Sequence, residues 1–189
     1  FKKPSHDTLK KLALDVAKKE GANLAPAGAE LIALMGDGSF RDTLGILQKV
    51  LTVSPDKQLT EAEVAKVVGA PQGGTVNEFL RALAAKDIAA ALQTFHTVLA
   101  AGADPRVFVL LSVTKARGVL LLRVAPKMEG ELAEQFSPDD LAVLKQLAGK
   151  DGAHINAALL AELITALIET PRAPLPQLPL ELALYRALG

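Results

Sequence analysis

Apolar residues recur every three or four positions along most of the chain, whereas strict alternation of apolar and polar residues is nearly absent. The first such stretch spaces Leu9, Leu12 and Val16 as one helix face requires, and it stops at Gly21, a residue type that commonly ends helices. This period indicates α-helix and not half-buried strand. Half of the 189 residues are hydrophobic, which is enough for a packed core. The sequence therefore predicts an all-α fold with about ten helices of ordinary length.

Helix start and stop signals divide the chain into a shorter and a longer helical region. The segment Ala70-Pro71-Gln72-Gly73-Gly74 strongly disfavours a continuing helix, because proline lacks an amide hydrogen and glycine is conformationally free. Capping-box patterns at Thr60–Glu63 and Thr75–Glu78 predict a helix start on either side of it. We therefore expect a small domain over residues 1–70 and a larger helical bundle over residues 75–189.

Charge and residue types exclude several classes of function. Lys plus Arg and Asp plus Glu are 21 each, so bulk charge does not favour wrapping of nucleic acid. There is no cysteine, and the three histidines are scattered, so we expect neither disulfides nor a metal site. No apolar run approaches the ~20 residues of a membrane span, and no signal peptide opens the chain, so we expect a cytoplasmic protein without membrane contact. The first residue, Phe1, is not Met, which suggests a piece of a longer protein.

The chain carries no recognisable catalytic motif. Its Gly149-Lys150 pair is followed by Asp151 and not by Ser or Thr, so there is no P-loop. The acidic pair Asp139-Asp140 follows Ser137-Pro138, where carboxylates suit the positive end of a helix dipole. We expect no catalytic residues and no metal ligands, and a helical hydrolase that uses carboxylates has no motif in its favour.

The second region contains one helix that is apolar around its whole circumference. Val119 to Leu122 are four consecutive apolar residues, so this helix is either central in its own bundle or part of a subunit interface. Arg106, Arg117 and Arg123 on the same helix are either solvated or a basic stripe that binds a partner. Core positions are expected for four phenylalanines at apolar helical spacing, Phe79, Phe95, Phe108 and Phe136.

One helix start departs from the usual distribution of charge. Gly38-Ser39 precedes Phe40, Arg41 and Asp42, and an arginine in the first turn of a helix opposes the helix dipole. A guanidinium offers five donors in a planar fork, which suits a phosphate group. Arg41 is therefore either an anion ligand or a salt-bridged surface residue.

The segment Gly38-Ser39-Phe40-Arg41-Asp42-Thr43-Leu44 resembles the sensor-2 motif of AAA+ clamp loaders, Gly-Ser-x-Arg-Asp-Ala-Leu. Further segments are similar in order and spacing to the gamma/tau subunits of bacterial DNA polymerase III. They are Phe1–Gly21, Leu59–Gly69, Ala101–Phe108 and Pro176–Glu181. The chain departs from the motif at Thr43, where Ala is usual, and at Phe40, where Leu or Met is common. It departs again after the motif, where Leu47-Gln48-Lys49 replaces Leu-Asp-Gln.

The resemblance implies a small AAA+ helical lid domain followed by a helical-bundle collar domain, with Pro71–Gly74 as the hinge between them. It implies that Arg41 contacts the γ-phosphate of ATP and that Phe40 lines the adenine pocket. Most of the ATP site, including Mg²⁺, would belong to an ATPase domain that this sequence lacks. We therefore expect the segment alone to be inactive as an ATPase.

The same resemblance implies partners. The collar would join other clamp-loader subunits, and the complete subunit would use ATP to load the sliding clamp on primed DNA. The alternative is a stand-alone all-α scaffold or interaction module without a nucleotide role.

Overall fold

Helices dominate the secondary structure, as the periodicity predicts. The computed structural model describes residues 3–71 and 74–189, and it has eleven α-helices in that part of the chain. The all-α fold class is thereby confirmed. The chain divides into two compact units, Phe1–Gln72 and Gly73–Gly189.

The first unit has four helices, and polar side chains fix where three of them begin. The helices are α1 (His6–Lys19), α2 (Pro26–Met35), α3 (Phe40–Val53) and α4 (Glu61–Val68). Ser5, Ser39 and Thr60 each accept a hydrogen bond from the backbone amide three residues further on. The predicted capping box at Thr60 is complete, since Glu63 also accepts from the Thr60 amide.

A short strand pair also belongs to the first unit, and the sequence did not predict it. Strand β1 (Asn23–Leu24) pairs in parallel with β2 (Gln58–Leu59). Leu24 and Leu59 are buried, while the alternate residues are exposed. Two residues are too few to show the period of a strand. The sequence also predicts that helix α3 ends at about Leu51, whereas it continues to Val53.

The second unit contains the remaining seven helices. They are α5 (Thr75–Ala84), α6 (Ile88–Ala100), α7 (Pro105–Val124), α8 (Glu129–Ala133), α9 (Pro138–Ala148), α10 (Ala157–Glu169) and α11 (Leu178–Leu188). Asp87, Asp104 and Ser137 cap α6, α7 and α9, as their sequence context predicts. Asn156, which the sequence predicts as the first residue of a helix, is the N-cap of α10.

Two local predictions in the second unit were wrong. Thr75 is the first residue of α5 and not its N-cap, because Gly74 takes that position at φ 44°, where glycine has no Cβ to clash. The four prolines between residues 170 and 179 predict an extended segment, but both of its ends are helical. Thr170–Arg172 form a 3₁₀ turn, and α11 begins at Leu178 because Pro179 is compatible with a first helical turn.

Helix α7 lies at the centre of the second unit and packs against α5, α9 and α10. Val119 and Leu122 are buried, and Leu120 and Leu121 are half-buried. The apolar run is therefore explained largely by burial within the unit. Three phenylalanines fill the core beside α7, with ring centroids 5.0 Å apart for Phe79–Phe108 and 5.1 Å apart for Phe95–Phe108. Phe136 is half-buried against the same core.

Arg123 at the end of α7 is structural and does not form a basic stripe. Its guanidinium donates four hydrogen bonds to backbone carbonyl oxygens at the end of α9 and in the segment before α10. These acceptors are Leu147 at 3.1 Å, Ala148 at 3.2 Å, Gly152 at 2.8 Å and Ile155 at 2.7 Å. Arg106 and Arg117 are exposed. The three arginines therefore do not form one solvent-facing row.

A second polar group joins α5, α7 and α9. Lys115 Nζ donates to Asp140 Oδ1 at 2.5 Å and to Asn77 Oδ1 at 2.9 Å. Asn77 Nδ2 also donates to Asp140 Oδ1, at 2.7 Å. Asp140, which the sequence placed in a favourable first helical turn, thus also neutralises a lysine that is mostly covered.

Candidate functional site

The start of α3 places both predicted nucleotide-contact residues at the surface of the first unit. Gly38 adopts φ 74°, which turns the chain into the helix. Ser39 Oγ then accepts from the Asp42 amide at 3.2 Å, which fixes the first turn. Phe40 is 49% exposed, and Arg41 beside it is exposed. The two side chains are therefore available to a ligand from outside this unit.

Arg41 has no partner within the part of the chain that the structure describes. Its guanidinium forms no hydrogen bond or ion pair there. No residue among 3–71 and 74–189 forms a salt bridge with Arg41, so the alternative of a salt-bridged surface residue has no support there. A planar donor group at a helix start remains free to bind an anion.

Lys3 is a second cation beside this turn, and the sequence reasoning missed it. Its side chain crosses Gly38, where an added Cβ would lie 3.1 Å from Lys3 Cδ. Lys3 Nζ is 3.8 Å from Asp37 Oδ1, and both side chains are largely exposed. Such an exposed pair contributes little to stability. No local pattern connects residue 3 with residue 38, so only the tertiary structure brings them together.

A buried contact under the turn holds the start of α3 in place. Thr43 is fully buried, and its Oγ1 donates to the Ser39 carbonyl oxygen at 2.8 Å. Gly36 lies against it so closely that an added Cβ would be 2.0 Å from Thr43 Oγ1. Thr43, at the position where the motif usually has Ala, is therefore a packing residue. Gly36 is a supporting residue that the sequence reasoning did not single out.

The two carboxyl groups with shifted pKa values belong to structural contacts of the first unit. Burial raises the pKa of Glu30, but hydrogen bonds from His6 and Lys10 outweigh it and hold the pKa below its ordinary value. The backbone amide of Thr60 and the hydroxyl of Ser54 lower the pKa of Glu63. Because neighbouring groups satisfy both carboxylates, neither indicates catalysis.

Metal sites and membrane-spanning helices were the two other kinds of feature to consider in the described residues. No group of three His, Cys, Asp or Glu side chains in residues 3–71 and 74–189 could hold a metal ion. Across the same residues, none of the helices has the length and apolar character needed to traverse a bilayer. The remaining feature of interest is an apolar surface in the second unit.

That surface lies on α10, α11 and the segment that joins them. It includes the exposed apolar side chains Ile164, Ile168, Leu175, Leu178, Leu182 and Tyr185. A cavity of about 320 Å³ opens here, and we call it the α10–α11 groove. Its lining residues are Ile168, Glu169, Arg172, Ala173, Leu178, Pro179 and Leu182. Three of the exposed apolar residues, Ile168, Leu178 and Leu182, line this groove together, and exposed apolar grooves are typical of interaction sites. The sequence reasoning missed it because it assigned the candidate interface to α7.

The second unit also identifies the family. A family model described as DNA polymerase III subunits gamma and tau domain III matches residues 59–189, well over half of the chain. The chain belongs to this family. The predicted resemblance to gamma/tau subunits is thereby confirmed. The match covers the whole second unit, and within the first unit it includes Leu59 of β2 and all of α4.

Two curated relatives agree with this family. The chain is 28% identical over 182 residues to DNA polymerase III subunit gamma/tau of Mycobacterium tuberculosis H37Rv, covering 96% of this chain and 31% of that protein. It is 27% identical over 117 residues to DNA polymerase III subunit tau of Bacillus subtilis, covering 62% of this chain and 21% of that protein. The chain thus spans about a third or less of the length of the curated relatives that it matches.

Among solved structures, the Bacillus subtilis DNA clamp loader delta protein is similar to this chain. It has a TM-score of 0.48 and 18% sequence identity, with 100% of this chain and 57% of that chain covered.

Proposed function

We propose that this chain is the lid and collar of a DNA polymerase III clamp-loader subunit. The complete subunit would use ATP to load the sliding clamp on primed DNA. The observation that carries the proposal is the gamma/tau domain III match over residues 59–189. The motif-like segment from Gly38 to Leu44 supports it from the first unit.

In this proposal residues 1–70 form the lid and residues 75–189 form the collar. Arg41 binds the γ-phosphate of ATP, and Phe40 covers part of the adenine. Both side chains suit that ligand, because Arg41 is exposed and unpaired among the described residues and Phe40 is half exposed. ATP bound by an ATPase domain elsewhere in the subunit supplies the phosphate, and Mg²⁺ belongs to that domain. Arg41 then couples the position of the lid to the nucleotide state.

Replacing Arg41 by alanine in the complete subunit tests the nucleotide role. A hydrogen bond to a charged group contributes on the order of 1.5–3 kcal/mol, so ATP affinity and the clamp-loading rate should fall about tenfold or more. Arg41→Lys should restore only part of the loss, because an ammonium keeps the charge without the planar fork. Nucleotide titration and a clamp-loading assay on otherwise wild-type complexes measure both quantities.

Lys49→Ala is the matched control for this experiment. Lys49 is another exposed cation of α3, two turns further along the helix. Its removal should leave ATP affinity and loading at the wild-type level. If Arg41→Ala binds ATP and loads clamps as well as Lys49→Ala does, the nucleotide role is refuted. A stand-alone scaffold is then the better explanation of the first unit.

We also propose that the collar contacts other clamp-loader subunits through the α10–α11 groove. Ile168 and Leu182, which line it, are 64% and 39% exposed, so burial against a partner would remove apolar surface from water. A few well-packed side chains near the centre of an interface contribute most of its binding energy.

Glutamate at both positions tests this surface. Ile168→Glu/Leu182→Glu should weaken assembly with the other subunits at least about tenfold, because each charge must be desolvated on binding. The chain should still fold, since both side chains already face solvent. Val124→Glu is the control, because Val124 is 82% exposed and does not line the groove. Analytical ultracentrifugation of mixed subunits gives the affinities. Wild-type assembly by the double variant would exclude the groove as the interface.

A further inference from the structure

In the described part of the chain, the strand pair of the first unit leaves one edge of β1 unpaired. The Asn23 amide donates to the Lys57 carbonyl oxygen at 2.8 Å. Two residues later, the Ala25 amide donates to the Leu59 carbonyl oxygen at 3.0 Å. Backbone groups of consecutive strand residues point to opposite sides, so the N–H and C=O of Leu24 point away from β2. Neither group has a hydrogen-bond partner within the described residues.

These two backbone groups belong to a residue that is largely covered. Leu24 is only 7% exposed. Leaving a covered backbone donor or acceptor without a partner costs free energy, and roughly 90% or more of such groups in folded proteins are paired. Leu24 presents a donor and an acceptor side by side, so a matching partner must offer both as well. A residue of an extended peptide does so.

A surface cavity of about 520 Å³ lies beside β1, and we call it the β1 groove. Its lining includes Leu14, Asp15 and Lys18 of α1 and the segment from Gly21 to Leu24. Asp15 and Lys18 are exposed, and neither forms an ion pair within the described residues. The groove therefore offers one free carboxylate and one free ammonium next to the unpaired edge of β1.

We propose that the β1 groove binds an extended peptide segment of a partner protein, which adds to β1 as a further strand. The Leu24 N–H donates to a carbonyl oxygen of the bound segment, and the Leu24 C=O accepts from one of its amides. The matching segment carries an acidic side chain for Lys18 and a basic one for Asp15. Because β1 has only two residues, these side-chain contacts supply the rest of the affinity.

The backbone of Leu24 distinguishes a peptide from a simple anion. An inorganic anion accepts hydrogen bonds and donates none, so it would leave the Leu24 carbonyl oxygen unpaired. The proposal goes beyond the proposed function and does not depend on it, since the β1 groove contains neither Phe40 nor Arg41. Its tests therefore stand or fall separately from those of the nucleotide role.

Amide hydrogen exchange of the 189-residue chain tests the unpaired edge. The Leu24 amide should exchange at least about tenfold faster than the amides of Asn23 and Ala25, because those two are paired with β2. Equal rates for the three amides would show that Leu24 already has a partner, whether in the chain or an ordered water. That result would overturn the proposal.

Phage-displayed random decapeptides provide the probe for the groove. They are selected on the chain that carries Ile168→Glu/Leu182→Glu, so that the α10–α11 groove does not compete. A synthetic copy of the tightest decapeptide should slow exchange of the Leu24 amide at least about tenfold and leave the Asn23 amide unchanged. If no selected decapeptide protects Leu24, the proposal is wrong.

Methylation of single backbone nitrogens in that decapeptide tests the strand geometry. Alternate amides of an added strand face β1, so methylation should weaken binding about tenfold at one position and much less at the next. A helical peptide, or one held only by its side chains, has no such alternation. Equal losses at adjacent positions would therefore exclude strand addition.

Lys18→Glu tests the charge of the groove, and Lys19→Glu is its matched control. Both lysines are exposed in the last turn of α1, so each glutamate has the same unfavourable effect on the helix, but Lys19 does not line the groove. Lys18→Glu should weaken decapeptide binding about three- to tenfold, and Lys19→Glu by less than about twofold. Equal affinities of the two variants would place the peptide outside the groove and overturn the proposal.

Discussion

Replacing Arg123 by alanine is expected to destabilise the second unit by about 3 kcal/mol or more. The guanidinium donates to the carbonyl oxygens of Leu147, Ala148, Gly152 and Ile155. Its loss leaves these partly covered oxygens without their donor, and it disconnects the end of α7 from the segment between α9 and α10. Urea denaturation followed by the fluorescence of Tyr185, the chain's single tyrosine, reports on this unit because Tyr185 lies in α11.

Two further substitutions make the Arg123 experiment specific. Arg123→Lys should recover only part of the stability, because an ammonium cannot reach four acceptors in the plane of a guanidinium. Arg117→Ala removes an exposed arginine from the same helix and should change the free energy of unfolding by less than about 0.5 kcal/mol. Equal stability of Arg123→Ala and Arg117→Ala would show that water replaces the guanidinium at little cost.

Most helix starts could be predicted because their signals are local. Ser39, Thr60 and Asp104 lie next to the amides that they cap, so a few consecutive residues contain the whole interaction. Thr75 shows the limit of such reasoning. Its capping-box pattern is present in the sequence, but the preceding Gly74 turns the chain one residue earlier.

The parts of the fold that could not be predicted depend on residues far apart in the sequence. The paired residues Asn23 of β1 and Gln58 of β2 are 35 positions apart in the sequence, and each strand is only two residues long. The role of Arg123 could not be predicted either. Its acceptors are backbone carbonyl oxygens, which every residue type has, so no residue type identifies them in the sequence. The sequence pattern therefore left Arg123, like Arg106 and Arg117, as either a solvated residue or part of a basic stripe.

The candidate site divides in the same way. The position of Phe40 and Arg41 at a helix start could be predicted, because the glycine turn and the capping residue are adjacent to them in the sequence. Lys3 and the α10–α11 groove could not, because both require knowledge of which segments pack together. Whether Arg41 binds ATP stays a prediction, and so does the assignment of the units as lid and collar.

Gly36→Ala is expected to destabilise the first unit by about 2–4 kcal/mol. Gly36 adopts φ −69°, an ordinary helical value, so alanine carries no backbone penalty. The cost comes from space alone, because the new Cβ would lie 2.0 Å from the Oγ1 of buried Thr43. Either the hydroxyl moves and loses its bond to Ser39, or α2 and the start of α3 separate. Thermal unfolding monitored by circular dichroism measures the loss.

A double-mutant cycle with Thr43→Ala shows whether this contact is the cause. Thr43→Ala alone should cost about 1 kcal/mol, because it removes one buried hydrogen bond and a methyl group. The double variant should be more stable than Gly36→Ala alone, because the clash with Oγ1 disappears. The recovery should be partial, because the Cβ of residue 43 remains 3.1 Å from the added Cβ. We expect a coupling free energy of at least about 1 kcal/mol. Additive losses would place the cost of Gly36→Ala elsewhere. Because Thr43 follows Arg41 by two residues, a coupled pair would also show that packing under the turn fixes the helix start that presents the guanidinium.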